Sequence, residues 1–72
     1  MPIKRKKLVK ILKKQGIFFH RQGIGDHEIF ICPNGKTFPI TDDNEIPTGT
    51  LNSILAEIGM SKKEFDRLRM RV

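Results

Sequence analysis

Residues 17–40 read IFFHRQGIGDHEIFICPNGKTFPI, three runs rich in aromatic and β-branched residues that are separated by two glycine-containing segments. The runs predict strands over residues 17–22, 26–32 and 36–40. Pro39 favours an edge position or a strand end for the third of them. Because such short connections join only antiparallel neighbours, the stretch predicts a three-stranded antiparallel sheet.

The first turn determines which residues of the sheet lie opposite each other. A three-residue loop over residues 23–25 places Arg21 opposite His27 and His20 opposite Glu28. It also places Phe19 opposite Ile29. We therefore expect Arg21 and His27 to be direct cross-strand neighbours.

The second turn, Pro33-Asn34-Gly35, is compatible with two registers. A two-residue turn at its last two positions places Phe38 opposite Ile31, whereas a type I turn with a G1 bulge places Phe38 opposite Phe30. We prefer the first register because it collects one apolar face, consisting of Ile17, Phe19, Ile29, Ile31, Phe38 and Ile40. It also places Asp42 opposite His27.

The segments before and after these strands have apolar residues at helical spacing. Leu8, Ile11 and Leu12 predict a helix over residues 3–15. A second helix begins near Thr48 or Thr50 as its N-cap, ends at Gly59, and has the apolar stripe Leu51, Ile54, Leu55 and Ile58. The capping box from Ser61 to Glu64 predicts a short third helix over residues 62–70. The fold class is therefore α+β, with the order α-β-β-β-α and an extra C-terminal helix.

Length and composition exclude several classes of protein. A chain of 72 residues encloses one small core, so we expect a single domain over residues 1–72. The sequence contains neither a signal peptide pattern nor an apolar run long enough to cross a membrane. One cysteine and two histidines fall short of a zinc ligand set. We expect a cytoplasmic protein without a metal or another cofactor.

The net charge of +6 is unevenly distributed. Residues 1–14 contain seven Lys or Arg and no acid, whereas the other 58 residues contain seven Lys or Arg and eight acids. The whole positive excess therefore lies on the predicted first helix. This distribution favours a polyanionic partner such as nucleic acid, although a merely solvated helix face gives the same pattern.

Two histidines are the candidates for acid–base chemistry near neutral pH. His20 is predicted to form a structural surface pair with Glu28. His27 follows a glycine-rich turn and has Arg21 as its predicted neighbour, an arrangement suited to phosphodiester chemistry. The alternative is that His27 is a solvated residue at a strand edge.

An ordered set of motifs resembles the HicA toxin family over roughly residues 7–68. The motifs are GDHEIF at 25–30, PNG at 33–35, Pro39, GTLNSIL at 49–55, and IGMS at 58–61 followed by Glu64 and Phe65. The resemblance implies a fold like the double-stranded RNA-binding domain. It also implies a toxin ribonuclease that cleaves mRNA without metal, is inhibited by a HicB-type antitoxin, and uses the histidine of the glycine-rich turn, here His27.

From the residues and the resemblance together we expect His27 and Arg21 to be catalytic. The predicted substrate-binding residues are Lys4, Lys7, Lys10, Lys14 and Gly25. Two alternatives are a helix-turn-helix over residues 50–71 that binds DNA and a non-catalytic RNA-binding module. Many family members have a second histidine after the third strand, where this chain has Thr41-Asp42-Asp43.

Overall fold

The computed structural model describes residues 2–71. Its elements, in chain order, are β1 (Ile3–Lys4), α1 (Arg5–Lys14), β2 (Phe18–Gln22), β3 (His27–Ile31), β4 (Thr37–Thr41), β5 (Glu45–Ile46), α2 (Thr48–Ile58) and α3 (Lys62–Arg71). Strands β2, β3 and β4 form an antiparallel sheet in that order. The α+β class and the α-β-β-β-α order are confirmed, and they are consistent with a fold like the double-stranded RNA-binding domain.

The small two-stranded sheet formed by β1 and β5 was not predicted from the sequence. Strands β1 and β5 pair antiparallel, with Ile3 opposite Ile46 and Lys4 opposite Glu45. Both isoleucines are buried, so the pairing closes the core beside the sheet. No element was predicted between residues 41 and 47, because a single isoleucine is too short a pattern to indicate a strand. Helix α1 accordingly begins at Arg5, two residues later than predicted.

The second hairpin adopts the register with the G1 bulge. Gly35 has φ +88°, its N–H donates to the carbonyl of Cys32 at 2.9 Å, and the N–H of Lys36 donates to Asn34 Oδ1. Phe38 consequently lies opposite Phe30, and the preferred register was wrong. The fixed φ of Pro33 suits the first central position of a type I turn, which leaves Gly35 alone to adopt the left-handed conformation.

The first hairpin also differs from the prediction. Arg21 lies opposite Ile29, and Gln22 lies opposite Glu28. The register shifts between Phe19 and Arg21, a β-bulge that contains His20. The predicted direct pairs of Arg21 with His27, His20 with Glu28 and Phe19 with Ile29 were therefore wrong. Sequence alternation does not reveal a bulge, because the bulge interrupts the period of two on which the pairing was based.

The register gives the sheet two different faces. The inner face contacts the helices and contains Phe30, Phe38 and Ile40, all buried, together with Glu28 and the half-exposed Phe19. The opposite face, called the outer face below, contains Phe18, Arg21, His27, Ile29, Ile31, Thr37, Pro39 and Thr41. The predicted apolar face of six was therefore divided between the two sides.

The core consists of the inner face, one stripe from each helix, and the buried residues Ile3, Ile17 and Ile46. The helices contribute Leu8, Ile11 and Leu12 of α1, Leu51, Ile54 and Leu55 of α2, and Phe65 of α3. Burial of each such side chain contributes about 1.5–3 kcal/mol to folding. Gly59, with φ +73°, ends α2 as predicted. The predicted threonine N-cap of α2 was wrong, because Pro47 occupies the cap position and Thr48 and Thr50 lie inside the helix.

Arg5 joins the start of α1 to the sheet through several contacts. Its backbone N–H donates to the carbonyl of Asn44 at 2.9 Å, and its Nε donates to the carbonyl of Thr41 at 3.2 Å. Its guanidinium forms an ion pair with Glu28 and lies over the ring of Phe30, 5.9 Å from the centroid. Arg5 therefore fixes the N-terminal end of α1 against the end of the sheet where His27 lies.

We expect Arg5 and Glu28 to be coupled energetically. Arg5→Met and Glu28→Gln, made singly and together, should give a coupling free energy of about 1–2 kcal/mol in urea unfolding, because both side chains are mostly shielded from water. Lys36 and Glu57 form a matched control pair whose side chains are 51% and 49% exposed. Their coupling should stay below about 0.5 kcal/mol. Equal coupling in the two pairs would contradict the structural role of Arg5.

Candidate functional site

The site begins with the turn of residues 23–26, which connects β2 to β3. The N–H of Gly23 donates to the carbonyl of His27 at 2.8 Å, and the N–H of Asp42 donates to the carbonyl of Asp26 at 2.9 Å. A Cβ atom at Gly23 would lie 3.0 Å from the His27 carbonyl oxygen and 3.0 Å from Ile29 Cδ1. Gly25 has φ +65°, a conformation that favours glycine. Gly23 is therefore required because a side chain would collide with β3, and Gly25 is required because of its backbone conformation.

The side chain of Gln22 braces this turn. Its Nε2 donates to the carbonyl of His27 at 3.1 Å and lies 3.4 Å from the carbonyl of Gly25. One amide group thus spans the turn from the last residue of β2 to the first residue of β3. No sequence motif indicated this role.

The imidazole of His27 is exposed and is held by one hydrogen bond. Its Nδ1 lies 3.2 Å from the carbonyl oxygen of Ile24. A carbonyl oxygen only accepts hydrogen bonds, so the proton of the neutral ring is assigned to Nδ1. Nε2 then has a free lone pair and is able to accept a proton from a bound molecule.

Arg21 lies on the outer face with His27 but is its diagonal neighbour across the strands. Cross-strand diagonal neighbours are separated by about 7–8 Å, a distance that long side chains span. Both residues are exposed. The register therefore places Arg21 and His27 on one face as diagonal neighbours, and the two residues are not directly opposite each other.

Two other predicted neighbours of His27 lie elsewhere. Thr41, rather than Asp42, is opposite His27, so the predicted position of Asp42 was wrong. The Nδ1 atom of the ring lies beside the carbonyl oxygen of Ile24, and a backbone carbonyl leaves no signal in a sequence. His20 lies in the β-bulge, and Glu28 forms its ion pair with Arg5.

Lysines cover the surface of α1 that faces away from the core. Of the predicted substrate-binding residues, Lys4, Lys10 and Lys14 are exposed and Lys7 is half-buried. A shallow groove along the helix is lined by Lys4, Arg5, Lys6, Lys7, Val9, Lys10 and Lys13. Lys6 and Lys13 were not among the predicted substrate-binding residues, although their spacing from Lys10 places all three on one helix face.

The first turn of α1 contains bases and no acid. Cations at this end oppose the helix dipole, so they destabilise the helix slightly and concentrate positive potential there. Because Arg5 ties this end to Thr41 and Glu28, the positive end of α1 and His27 border the same end of the sheet. The helix lies on the inner face and the imidazole on the outer face.

Two further observations concern metals and membranes. Within residues 2–71, no three His, Cys, Asp or Glu side chains lie close enough together to hold a metal ion. No helix in this part of the chain has the length and apolar character needed to cross a membrane.

The fold and the site define a small α+β domain with an exposed histidine on the outer face of its sheet and a lysine-rich helix on the inner face. A family model described as HicA toxin of bacterial toxin-antitoxin matches residues 5–60. The chain therefore belongs to the HicA toxin family, whose members are toxins of toxin–antitoxin systems, and the resemblance found in the sequence is confirmed. No curated protein matches the chain. The family match includes α1, the three-stranded sheet and α2.

We expect Gln22→Met to loosen the turn while leaving the core intact. Methionine has a similar length but no N–H group, so both contacts to the turn carbonyls are lost. The ¹⁵N chemical shifts of the His27 ring should then show a smaller Nδ1–H population, and amides 23–27 should exchange faster with solvent. Thr37→Met places the same side chain at the opposite end of the sheet and should change neither measurement. An unchanged His27 ring in the Gln22 variant would contradict the bracing role.

Proposed function

We propose that this protein is an endoribonuclease that cleaves mRNA without a metal ion, with His27 as its general base. The observation that carries the proposal is the exposed His27 ring, whose Nδ1 lies 3.2 Å from the Ile24 carbonyl oxygen and whose Nε2 has no hydrogen-bond partner among the described residues. Membership of a toxin family supports an activity that damages the cell. Histidine is the side chain most often used to transfer protons in such reactions.

The proposed reaction uses the 2′-hydroxyl of the substrate as the nucleophile. Nε2 of His27 removes the proton of that hydroxyl, and the oxygen attacks the adjacent phosphorus. The bond from phosphorus to the 5′-oxygen breaks, which yields a 2′,3′-cyclic phosphate and a 5′-hydroxyl. The leaving oxygen takes its proton from the imidazolium or from water. Only RNA has the attacking hydroxyl, so DNA would not be cleaved.

Negative charge develops on the phosphate oxygens during this reaction. Arg21 is the proposed catalytic cation, because it shares the outer face with His27 and is within reach of a phosphate bound there. The proposed substrate-binding residues are Lys4, Lys7, Lys10, Lys14 and Gly25. The backbone at Gly25 lies in the turn beside the imidazole, and a Cβ atom added there would meet no heavy atom within 4 Å apart from the two neighbouring residues.

Family membership implies an antitoxin partner. We propose that the partner is a HicB-type protein that inhibits cleavage. Inhibition requires only that the partner prevents RNA from reaching the exposed imidazole, so no change in the toxin fold is needed.

Replacing His27 by Ala should lower the rate of RNA cleavage about 10²- to 10⁴-fold, because general acid–base catalysis contributes that much. The measurement is cleavage of a defined RNA by the purified protein in EDTA. A single 2′-deoxy substitution at the cleaved position should block cleavage by the unaltered protein. His20→Ala removes the other histidine and should leave the rate within about twofold. Wild-type cleavage by the His27 variant would overturn the proposal.

Substituting the lysine face should weaken RNA binding in a salt-dependent manner. Each lost phosphate contact on a single strand reduces the slope of log K against log salt by about 0.7, so Lys7→Gln, Lys10→Gln and Lys14→Gln together should reduce it by about 2. Fluorescence anisotropy of a labelled RNA at several salt concentrations measures the slope. Lys62→Gln, Lys63→Gln and Arg67→Gln remove the same charge from α3 and serve as the matched control. An unchanged slope for the α1 variant would exclude the lysine face as the binding surface.

The triple variants of α1 and α3 also test the two alternative functions, DNA binding by a helix-turn-helix and RNA binding without catalysis. A helix-turn-helix protein would bind duplex DNA through α3, so the α3 variant would lose affinity and the α1 variant would keep it. A non-catalytic RNA-binding module would lose RNA affinity in the α1 variant but would cleave nothing in EDTA.

A further inference from the structure

The outer face of the sheet has no helix packed on it within the described residues, and one aromatic side chain is prominent there. Phe18 is 51% exposed and lies opposite Ile31. Its neighbour Phe19 is 52% exposed but lies on the inner face, where its ring packs edge-to-face against Phe30 at a centroid separation of 6.0 Å. The two phenylalanines thus have equal exposure and different surroundings.

The outer face is apolar at one end and cationic at the other. Phe18, Ile31 and Ile29 form its apolar part, and Arg21 and His27 are the ionisable residues among the eight strand positions that form it. The exposed carboxylates of Asp26 and Asp42 lie in the loops just beyond the His27 end. The acidic residue of β3, Glu28, lies on the inner face and is neutralised by Arg5. The outer face is therefore complementary to a partner that offers both negative charge and flat apolar surface.

Phe18 and His27 are separated by a distance suited to an extended chain. Ile31, opposite Phe18, is four residues from His27 on the same strand, which corresponds to about 13 Å. Arg21 and Ile29 lie between them. One continuous surface therefore connects the proposed base to the exposed ring.

We propose that the outer face binds single-stranded RNA, with one nucleobase stacked on Phe18 while the cleaved phosphate lies at His27 and Arg21. This inference rests on the proposed ribonuclease function and specifies its substrate as an unpaired strand. Bases stack on aromatic side chains only when they are unpaired and turned outward, so a duplex would not use this contact. Stacking tolerates every base, so the contact adds affinity without fixing the sequence of the RNA.

The experiment measures binding of a short single-stranded RNA that contains 2′-O-methyl groups and is not cleaved. It uses His27→Ala protein, so binding is measured independently of catalysis. Adding Phe18→Leu should weaken binding about tenfold, because leucine keeps apolar area but loses the aromatic ring. Phe18→Trp should preserve or strengthen binding. The matched control, Phe19→Leu, should stay within about twofold, and all variants should bind duplex RNA equally.

Methyl NMR spectra provide a second measurement. RNA should shift the Ile29 and Ile31 methyl signals in the protein with Phe18 and should shift them less in the Phe18→Leu protein. Equal RNA affinity of the Phe18→Leu and Phe19→Leu proteins would overturn the inference. It would also be overturned if Phe18→Leu abolished self-association or antitoxin binding while RNA affinity stayed unchanged, because the face would then bind protein. Cleavage by His27→Ala protein would instead contradict only the proposed function.

Discussion

The ion pair of Arg5 with Glu28 and the burial of Phe30 hold β3 in one orientation, and the candidate site depends on that orientation. Glu28 lies on the inner face, where an unpaired carboxylate would be costly to bury. Arg5 neutralises it from the start of α1 and also donates to the Thr41 carbonyl. Because successive strand residues point to opposite faces, holding Glu28 inward directs His27 outward. A slip of one residue would bury the imidazole and expose Phe30.

Element types were predictable from the sequence, because each element carries several consistent local signals. The apolar stripe of α2 and the glycine at its end determine one helix, and the Ser61 hydroxyl that accepts the Glu64 N–H begins the next. Strand registers were not predictable in the same way. The bulge at His20 depends on how the whole sheet packs, and alternation of apolar residues favoured a face that the folded chain does not form. Ile29 and Ile31 are apolar enough for the inner face, but Phe30 and Phe38 occupy the core there.

The candidate site was predictable in its residue types and not in its geometry. A histidine after a glycine turn and a cluster of lysines are visible in the sequence, and so is their family pattern. The contacts that orient the ring come from the Ile24 carbonyl and, through the turn, from the Gln22 amide. A backbone carbonyl has no sequence signal, and a glutamine at a strand end is an ordinary surface residue until the turn is formed. Arg21 is diagonal to His27, rather than opposite it, because of the β-bulge at His20.

The β-bulge at His20 also affects how this chain behaves beside other copies of itself. Strand β2 lies at the edge of the sheet, and all five of its residues are exposed. A regular edge of this kind is a template on which another polypeptide can add a strand. The bulge breaks the regular spacing of free N–H and C=O groups, and Arg21 adds a charge that a second edge would have to desolvate. The irregular strand therefore protects a small protein with an uncovered sheet against aggregation.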